Sequence, residues 1–310
     1  MRLLIAEDDY ALYAERVSAV YPELQLVAGD DAKALSCAAG GGDLWLGQPD
    51  LLVPLLRQGH RPQWLQSTWA GITPLLAADL PRDYRLSRAV GIFGQVMAEY
   101  VLGHVLAHER RLFARLAAQV EQRWDHVLPR SLSGRRVLIV GCGDIGQRVA
   151  EFLAPFGIVL RGVASQPRQQ APFTEVLGVQ DLPEQVGWAD YVINLLPDTP
   201  ATRDLYDAAL LARFSSQALL INAGRGSAVV DADLVAALEQ GKLAGAVIDV
   251  CREEPPAAEH PFWTAPRLLL TGHSSAPTDP SLMADLFLDN LARWQAGKSL
   301  RGEVDFSRGY

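Results

Sequence analysis

The stretch from Arg136 to Gly146 constrains the fold of this chain more than any other. Arg136-Val137-Leu138-Ile139-Val140 reads as a buried strand and runs without a break into Gly141-Cys142-Gly143-Asp144-Ile145-Gly146, after which a helix pattern begins. A G-x-G-x-x-G spacing alone is weak evidence, because glycine pairs are common in turns. Between a strand and a helix it is much more specific. Gly141 permits the tight turn, Gly143 lets a pyrophosphate approach the backbone, and Gly146 lets helix and strand pack closely. The helix N-terminus then offers free N–H groups and a partial positive charge to the phosphates. The competing reading is a glycine-rich turn that holds nothing.

Around this loop the apolar runs keep a regular beat. From Ser133 onward, short Val/Ile/Leu segments at 137–140, 159–164, 191–195, 218–222, 244–249 and 268–271 alternate with helix-period stretches. That alternation is the mark of βαβ units and a parallel sheet, and its continuous apolar strands suit a sheet covered on both faces. Helices are expected over 147–156 and 231–240, the second capped by Asp231 and stopped at Gly241. Upstream, 1–6 reads as a strand, 9–20 as a helix, and 43–46 and 64–66 as short strands. Residues 97–123 read as one long helix leading from a first domain into a second, and a helix over 281–295 returns to the first. The predicted fold class is therefore α/β, with two Rossmann-like doubly wound domains. One, over 97–278, carries the glycine loop and is inserted into a smaller discontinuous one formed by 1–96 and 279–310. A length of 310 residues suits two domains.

Composition removes several classes of function. With 36 acidic against 28 basic residues, a formal charge of −8, the surface repels phosphate backbones, so no nucleic-acid partner is expected. No apolar run reaches the length of a membrane span, and the opening MRLLIAEDD turns acidic at once, so neither membrane insertion nor a secretory leader is expected. The 3 cysteines, Cys37, Cys142 and Cys251, are scattered; they point to no disulfide framework or metal site and fit a cytoplasmic location.

The second strand of the glycine-loop unit bears on the cofactor. A site for NAD places Asp or Glu about 20 residues past the loop, on the ribose 2′-hydroxyl. Here the stretch reads Gly162-Val163-Ala164-Ser165-Gln166-Pro167-Arg168, without a carboxylate. Ser165 can donate to a 2′-phosphate and Arg168 can pair with it through its planar guanidinium. NADP is expected, with NAD as the alternative, and Arg168 as a merely solvated loop charge stays open.

In open α/β sheets, ligands bind beyond the carboxyl ends of the strands. That rule nominates three segments: Asn222-Ala223-Gly224-Arg225-Gly226, Asp249-Val250-Cys251-Arg252-Glu253-Glu254-Pro255, and Thr271-Gly272-His273. Each has a bland explanation alone: a surface histidine, a Glu-Pro loop pair, an arginine bonded to a carbonyl. Together, in this order and spacing, they resemble the D-2-hydroxyacid dehydrogenases, most closely the glyoxylate/hydroxypyruvate reductase A branch. The resemblance spans most of the chain. It also takes in Leu65-Gln66-Ser67-Thr68-Trp69-Ala70-Gly71, Met97-Ala98-Glu99-Tyr100, the glycine loop, Ile193-Asn194-Leu195-Leu196-Pro197 and the closing Arg308-Gly309-Tyr310.

The resemblance implies NADPH-dependent reduction of a small 2-oxo acid, glyoxylate or hydroxypyruvate, to the D-2-hydroxy acid where the product is chiral. It implies Arg225, Glu254 and His273 as the catalytic three, and the chemistry asks for those types. Negative charge grows on the carbonyl oxygen during hydride transfer; His273 can bond that oxygen and protonate it. Glu254 can fix the imidazole's orientation, although Glu253 beside it leaves the register open by one. Arg225 can hold the substrate carboxylate. By the same resemblance the cofactor is lined by Gly141, Gly143, Asp144, Ile145, Gly146, Ser165, Arg168, Leu196, Pro197, Thr202, Ala223 and Gly224, with Asp249 accepting from the nicotinamide amide. Trp69-Ala70-Gly71 would present backbone N–H groups to the substrate carboxylate, with Trp45 nearby; core packing is the alternative for either tryptophan. A homodimer is the family habit. Two positions depart from the pattern: Gly272 stands where many relatives carry proline, and Cys251 where an aromatic is usual.

Three other readings compete. Asp8-Asp9 after a strand, with Pro49-Asp50-Leu51-Leu52, resembles the start of a response-regulator receiver, but Leu55 stands where its phosphoacceptor aspartate belongs. His104 and His108 are four residues apart on an expected helix, yet no third metal ligand is evident. A dinucleotide-sensing binding protein without turnover would keep the fold, but has no need of an arginine, a glutamate and a histidine together.

Overall fold

The computed structural model describes residues 1–40 and 44–307. Asp43, expected to open a strand, and the closing Arg308-Gly309-Tyr310 lie outside the described residues. The chain divides into two compact units, one formed by Met1–Phe93 with Thr278–Tyr310, the other by Gly94–Pro277.

The first unit alternates strand and helix: β1 (Arg2–Ala6), α1 (Tyr10–Val20), β2 (Gln25–Gly29), α2 (Ala32–Ala38), β3 (Leu44–Gly47), α3 (Pro49–Arg57), β4 (Trp64–Ser67) and β5 (Arg85–Ser87). The sheet is wholly parallel, in the order β2-β1-β3-β4-β5. β1 and β3 are buried almost throughout, and Leu4, Trp45 and Leu65 meet Leu52 and Leu55 of α3 in one core. Each such side chain removed from water is worth about 1.5–3 kcal/mol. β2 and α3 escape the sequence pattern for identifiable reasons. β2 is an edge strand, only half covered, so its apolar run is short. α3 begins on Pro49 and carries Pro54 inside, and proline in a helix normally reads as a break.

The second unit holds α4 (Gly94–Glu109), α5 (Leu112–Val120), β6 (Arg136–Val140), α6 (Asp144–Leu153), β7 (Val159–Ala164), β8 (Glu175–Gly178), α7 (Leu182–Trp188), β9 (Tyr191–Asn194), α8 (Ala208–Leu211), β10 (Leu219–Asn222), α9 (Asp231–Glu239), β11 (Gly245–Ile248) and β12 (Leu268–Leu270). Its seven strands are all parallel, in the order β12-β11-β10-β9-β6-β7-β8. Successive side chains on β6 face opposite sides. Val137 and Ile139 pack beneath α4 and α6, whereas Leu138 and Val140 join the core that α7 and α9 cover. This two-sided covering is why the strands read as unbroken apolar runs.

Two local expectations are corrected. The helix expected over 97–123 is two helices, because Arg111 sits at φ +59°, where a right-handed helix cannot continue. Asp231 is the first residue of α9 and not its cap, Val230 holding the cap position. The Asp231 carboxylate instead meets His260 Nε2 at 3.2 Å.

The final helix, α10 (Pro280–Gln295), belongs to the first unit. Phe287 stacks on Trp64 at 5.3 Å, and Asn290 Nδ2 donates to the buried Gln66 Oε1 at 2.8 Å. Among the described residues no helix is long and apolar enough to cross a membrane.

Candidate active site

The register of the seven-stranded sheet places the nominated segments in one row. Val140 aligns with Asn194, Asn194 with Asn222, Asn222 with Ile248, and Ile248 with Leu270. Five neighbouring strands thus end level, and the next residues, Gly141, Leu195, Ala223, Asp249 and Thr271, leave from the same edge. At about 4.8 Å per strand the row is about 19 Å long. The strand order reverses between β6 and β9, the switch point where ligands of such sheets bind.

The glycine loop has the shape a pyrophosphate needs. Gly141 lies at φ +109°, with the Leu195 backbone close behind it. A side chain on Gly146 would stand 2.1 Å from Gly141 O, so α6 can approach the loop only because Gly146 has none. At Gly143, the cap of α6, an added Cβ would meet nothing within 4 Å. Gly143 and Asp144 are exposed and Ile145 half-buried, leaving an open cradle over the helix N-terminus. Beyond β7, Ser165 and Arg168 are exposed. Arg168 is turned toward the loop: Nη2 donates to Cys142 O at 2.6 Å and Nε to Gln170 Oε1 at 2.5 Å. These residues fit a dinucleotide, and the carboxylate that would repel a 2′-phosphate is missing from the segment after β7.

Further along, Leu196 and Gly224 touch closely; a Cβ on Gly224 would stand 2.7 Å from Leu196 O. Ala223 is buried, its N–H donating to Asn194 O at 3.1 Å, and Pro197 is exposed. Thr202 does not present a free hydroxyl: it donates to Pro197 O at 2.6 Å and accepts from Thr199 N at 2.9 Å, which shapes the turn after β9.

Arg225, Glu254 and His273 follow β10, β11 and β12, three neighbours in the sheet. His273 Nδ1 and Glu254 Oε2 are 2.6 Å apart, and Glu254 Oε1 accepts from Cys251 N at 2.9 Å. Both carboxylate oxygens are engaged, which fixes Glu254, not Glu253, as the partner of the histidine. Arg225 donates from Nη1 to Gly224 O at 2.6 Å. Burial lowers its guanidinium pKa from the usual value, and the charges of Glu254 and Asp198 oppose that shift. One cation, one anion and one imidazole are therefore brought to the same edge, with the imidazole's second nitrogen, Nε2, turned away from its carboxylate partner.

The supports of this set were partly missed in the sequence. The buried Asn222 accepts from Asn194 Nδ2 at 2.8 Å and from Gly224 N at 3.3 Å, and donates to Arg225 O at 3.2 Å. It thus carries the loop on which Arg225 stands. The available signal was that two strands, β9 and β10, both end on asparagine. Asp249, expected against a nicotinamide amide, is 2% exposed and ties down the histidine loop. It accepts from Thr271 Oγ1 at 2.6 Å, Ser274 N at 2.9 Å and Ser275 N at 3.2 Å. His104 packs edge-on against Tyr100 at 4.4 Å and His108 Nδ1 meets Tyr191 Oη at 2.9 Å, so the two histidines face different partners.

In the first unit, Trp69, Ala70 and Gly71 are half-buried beyond β4, and the Trp69 N–H is taken by Ser67 Oγ at 3.1 Å. Trp45 is fully buried within the sheet core and its indole offers no surface to a ligand, because β3 is covered on both faces.

A parallel α/β unit with a glycine cradle at its switch point and an Arg–Glu–His set on the same edge defines a dinucleotide-dependent oxidoreductase. A family model described as D-isomer specific 2-hydroxyacid dehydrogenase, NAD binding domain, matches residues 102–275, and the chain belongs to that family. A glyoxylate/hydroxypyruvate reductase A from Klebsiella pneumoniae is 36% identical over 261 residues, 82% of this chain and 83% of the relative. A D-isomer specific 2-hydroxyacid dehydrogenase family protein from Aeromonas salmonicida superposes with a TM-score of 0.93 at 36% identity, covering 98% of this chain and 99% of the other. An NADPH-dependent glyoxylate/hydroxypyruvate reductase from Sinorhizobium meliloti, solved with NADP and sulfate, superposes with a TM-score of 0.85 at 27% identity, covering 100% of this chain and 99% of the other.

Proposed function

We propose that the protein is an NADPH-preferring reductase of small 2-oxo acids, glyoxylate and hydroxypyruvate foremost, with Gly94–Pro277 as its dinucleotide-binding domain and the first unit as its substrate domain. The observation that carries this is the His273–Glu254 pair at 2.6 Å, on the same sheet edge as Arg225 and the glycine cradle. When bound, the cofactor supplies the hydride that reduces the carbonyl carbon. The residues that would hold it are Gly141, Gly143, Asp144, Ile145 and Gly146, with Leu196, Pro197, Thr202, Ala223 and Gly224 along the groove, Asp249 farther on, and Ser165 and Arg168 for the 2′-phosphate.

The protein's own groups complete the reaction. With Nδ1 donating to Glu254, His273 keeps its transferable proton on Nε2 and gives it to the carbonyl oxygen, so that one hydride and one proton convert the 2-oxo acid to the 2-hydroxy acid. Arg225 holds the substrate carboxylate and polarises the carbonyl. In the first unit, Trp69, Ala70 and Gly71 are the proposed substrate-facing residues. The reading favours NADPH over NADH because the segment after β7 has no carboxylate and keeps Arg168 beside the loop. A homodimer is supported by the apolar surface of α5 and the loop after it, and a cytoplasmic location by the scattered cysteines.

The direct test follows NADPH absorbance with glyoxylate, then hydroxypyruvate, and compares kcat/KM with NADH. His273→Ala is expected to lower kcat by about 10²–10⁴-fold. Wild-type protein that binds NADPH but never oxidises it with either acid would favour a sensor instead.

A further inference from the structure

His273 is held in a conformation it would not choose alone. It lies at φ +53° and follows Gly272 at φ +67°, two left-handed residues in succession. For a residue with a Cβ this backbone is disfavoured, and it persists only where the surroundings over-determine it. A proline at 272 would require φ near −65° and could not take this path. The loop must therefore be held by its bonds.

Beside the Ser274 Oγ bond to Thr271 O at 2.6 Å and the His273–Glu254 pair, three of those bonds converge on Asp249. Its backbone oxygen accepts from His273 N at 2.6 Å, Oδ1 from Ser274 N at 2.9 Å and Oδ2 from Ser275 N at 3.2 Å. From the other side the carboxylate is held by a hydroxyl chain. Thr271 Oγ1 lies 2.6 Å from Asp249 Oδ1 and 2.8 Å from Tyr100 Oη. Thr271 has a single hydroxyl proton, and it goes to the carboxylate, so Tyr100 donates to Thr271. Tyr100 is fit for that part: burial raises the pKa of its phenol, which keeps the proton on, and His104 packs against its ring at 4.4 Å.

We propose that Tyr100 and Thr271 are positioning residues for the acid–base histidine, a relay Tyr100 Oη–H to Thr271 Oγ1–H to Asp249 that orients the carboxylate on which the His273 loop hangs. Neither residue reaches a reacting atom. The inference rests on the proposed function for its meaning in catalysis, but not for its geometry. Without the relay the carboxylate keeps only the Ser274 and Ser275 amides, its orientation loosens, and His273 relaxes toward negative φ, away from Glu254.

The experiment measures turnover and amide hydrogen exchange on the same full-length variants. Tyr100→Phe removes one hydroxyl and is expected to lower kcat about fivefold, the equivalent of one hydrogen bond, with KM for NADPH little changed. Thr271→Val breaks the relay at its centre and is expected to lower kcat further, and Thr271→Ser to recover most of that loss. In Tyr100→Phe and Thr271→Val the amides of residues 273–275 exchange faster than in the wild type. Wild-type kcat and wild-type exchange in Tyr100→Phe would overturn the proposal, as would a Thr271→Ser protein no better than Thr271→Val. If Thr271→Val does not fold, Tyr100→Phe decides alone. Wild-type protein with no 2-oxo acid turnover would defeat the functional reading, while the exchange data still decide the relay.

Discussion

At the scale of single residues, the most consequential buried charge outside the candidate site is Glu7, just past the end of β1. The residue is 7% exposed, and burial raises its carboxyl pKa; hydrogen bonds from Thr68 and the Asp8 N–H oppose the shift, and the charges of Asp8 and Asp9 add to it. A carboxyl whose pKa is higher folded than unfolded binds its proton more tightly in the folded state. Its contribution to stability is thus present at low pH and is lost as pH rises through the raised value. Glu7→Gln keeps an acceptor for the Asp8 N–H, now bonded at 3.0 Å, and removes the charge. The variant is expected to melt higher than the wild type at about pH 8, and the gain to vanish below about pH 4, where the unfolded carboxyl is protonated too. Thermal unfolding across that range is the check; an unchanged Tm at the alkaline end would refute the assignment.

Between elements, one tight constraint is the approach of α6 to β6. Gly146→Ala places a methyl 2.1 Å from Gly141 O, a backbone atom that cannot turn aside. Overpacking of this kind costs about 1–3 kcal/mol, and α6 must slide away from the loop whose cradle it caps. The expected result is a lower Tm together with a weaker NADPH affinity, read by fluorescence titration. Equal affinity at equal stability would show that the close packing is not what shapes the cradle. The junction of α4 and α5 is set by a different force. Glu109, at the end of α4, is almost wholly buried and is bonded by Arg130 through two 3.1 Å contacts and by Tyr191 Oη at 2.8 Å. That anchoring, with Arg111 at φ +59°, ends the helix although the apolar pattern continues beyond it.

For the whole molecule, the notable surface feature is the apolar stretch of the second unit that starts on α5. Phe113 and Leu116 are exposed on the helix, and Trp124 and Leu128 in the following loop are 88% and 85% exposed. Several large apolar side chains exposed on one helix and the loop after it mark an interaction site more often than a bare face. Arg115 holds the loop in shape by donating to the carbonyls of Asp125 and Val127, at 3.1 and 2.9 Å. With the homodimer proposed above, sedimentation of the wild type is expected to give about twice the chain mass, and Leu116→Glu with Trp124→Glu to give the monomer. A monomeric wild type would remove the proposal.

Much of the architecture was legible in the residues. A strand buried on both faces is apolar at nearly every position, so β6, β9, β10 and β11 appear directly as apolar runs, and β7 and the half-buried edge strand β12 still carry enough Val and Leu to be read. The glycine loop is legible for the same reason, since the backbone there excludes side chains at fixed spacing. What stayed hidden depends on neighbours distant in sequence. The edge strands β2 and β8 are short and half covered, and the break at Arg111 follows from Glu109 meeting Arg130 and Tyr191. The burial of Trp45, the choice of Glu254 over Glu253, and the Tyr100–Thr271–Asp249 chain are hydrogen-bonding and packing outcomes that no local pattern encodes. Sequence alone determined the α/β class, the glycine cradle and the three segments nominated for chemistry, because each is written as a local periodicity or spacing. Tertiary structure alone decided which side chains meet, because hydrogen bonds form by distance in space, and strand register, not chain order, sets that distance.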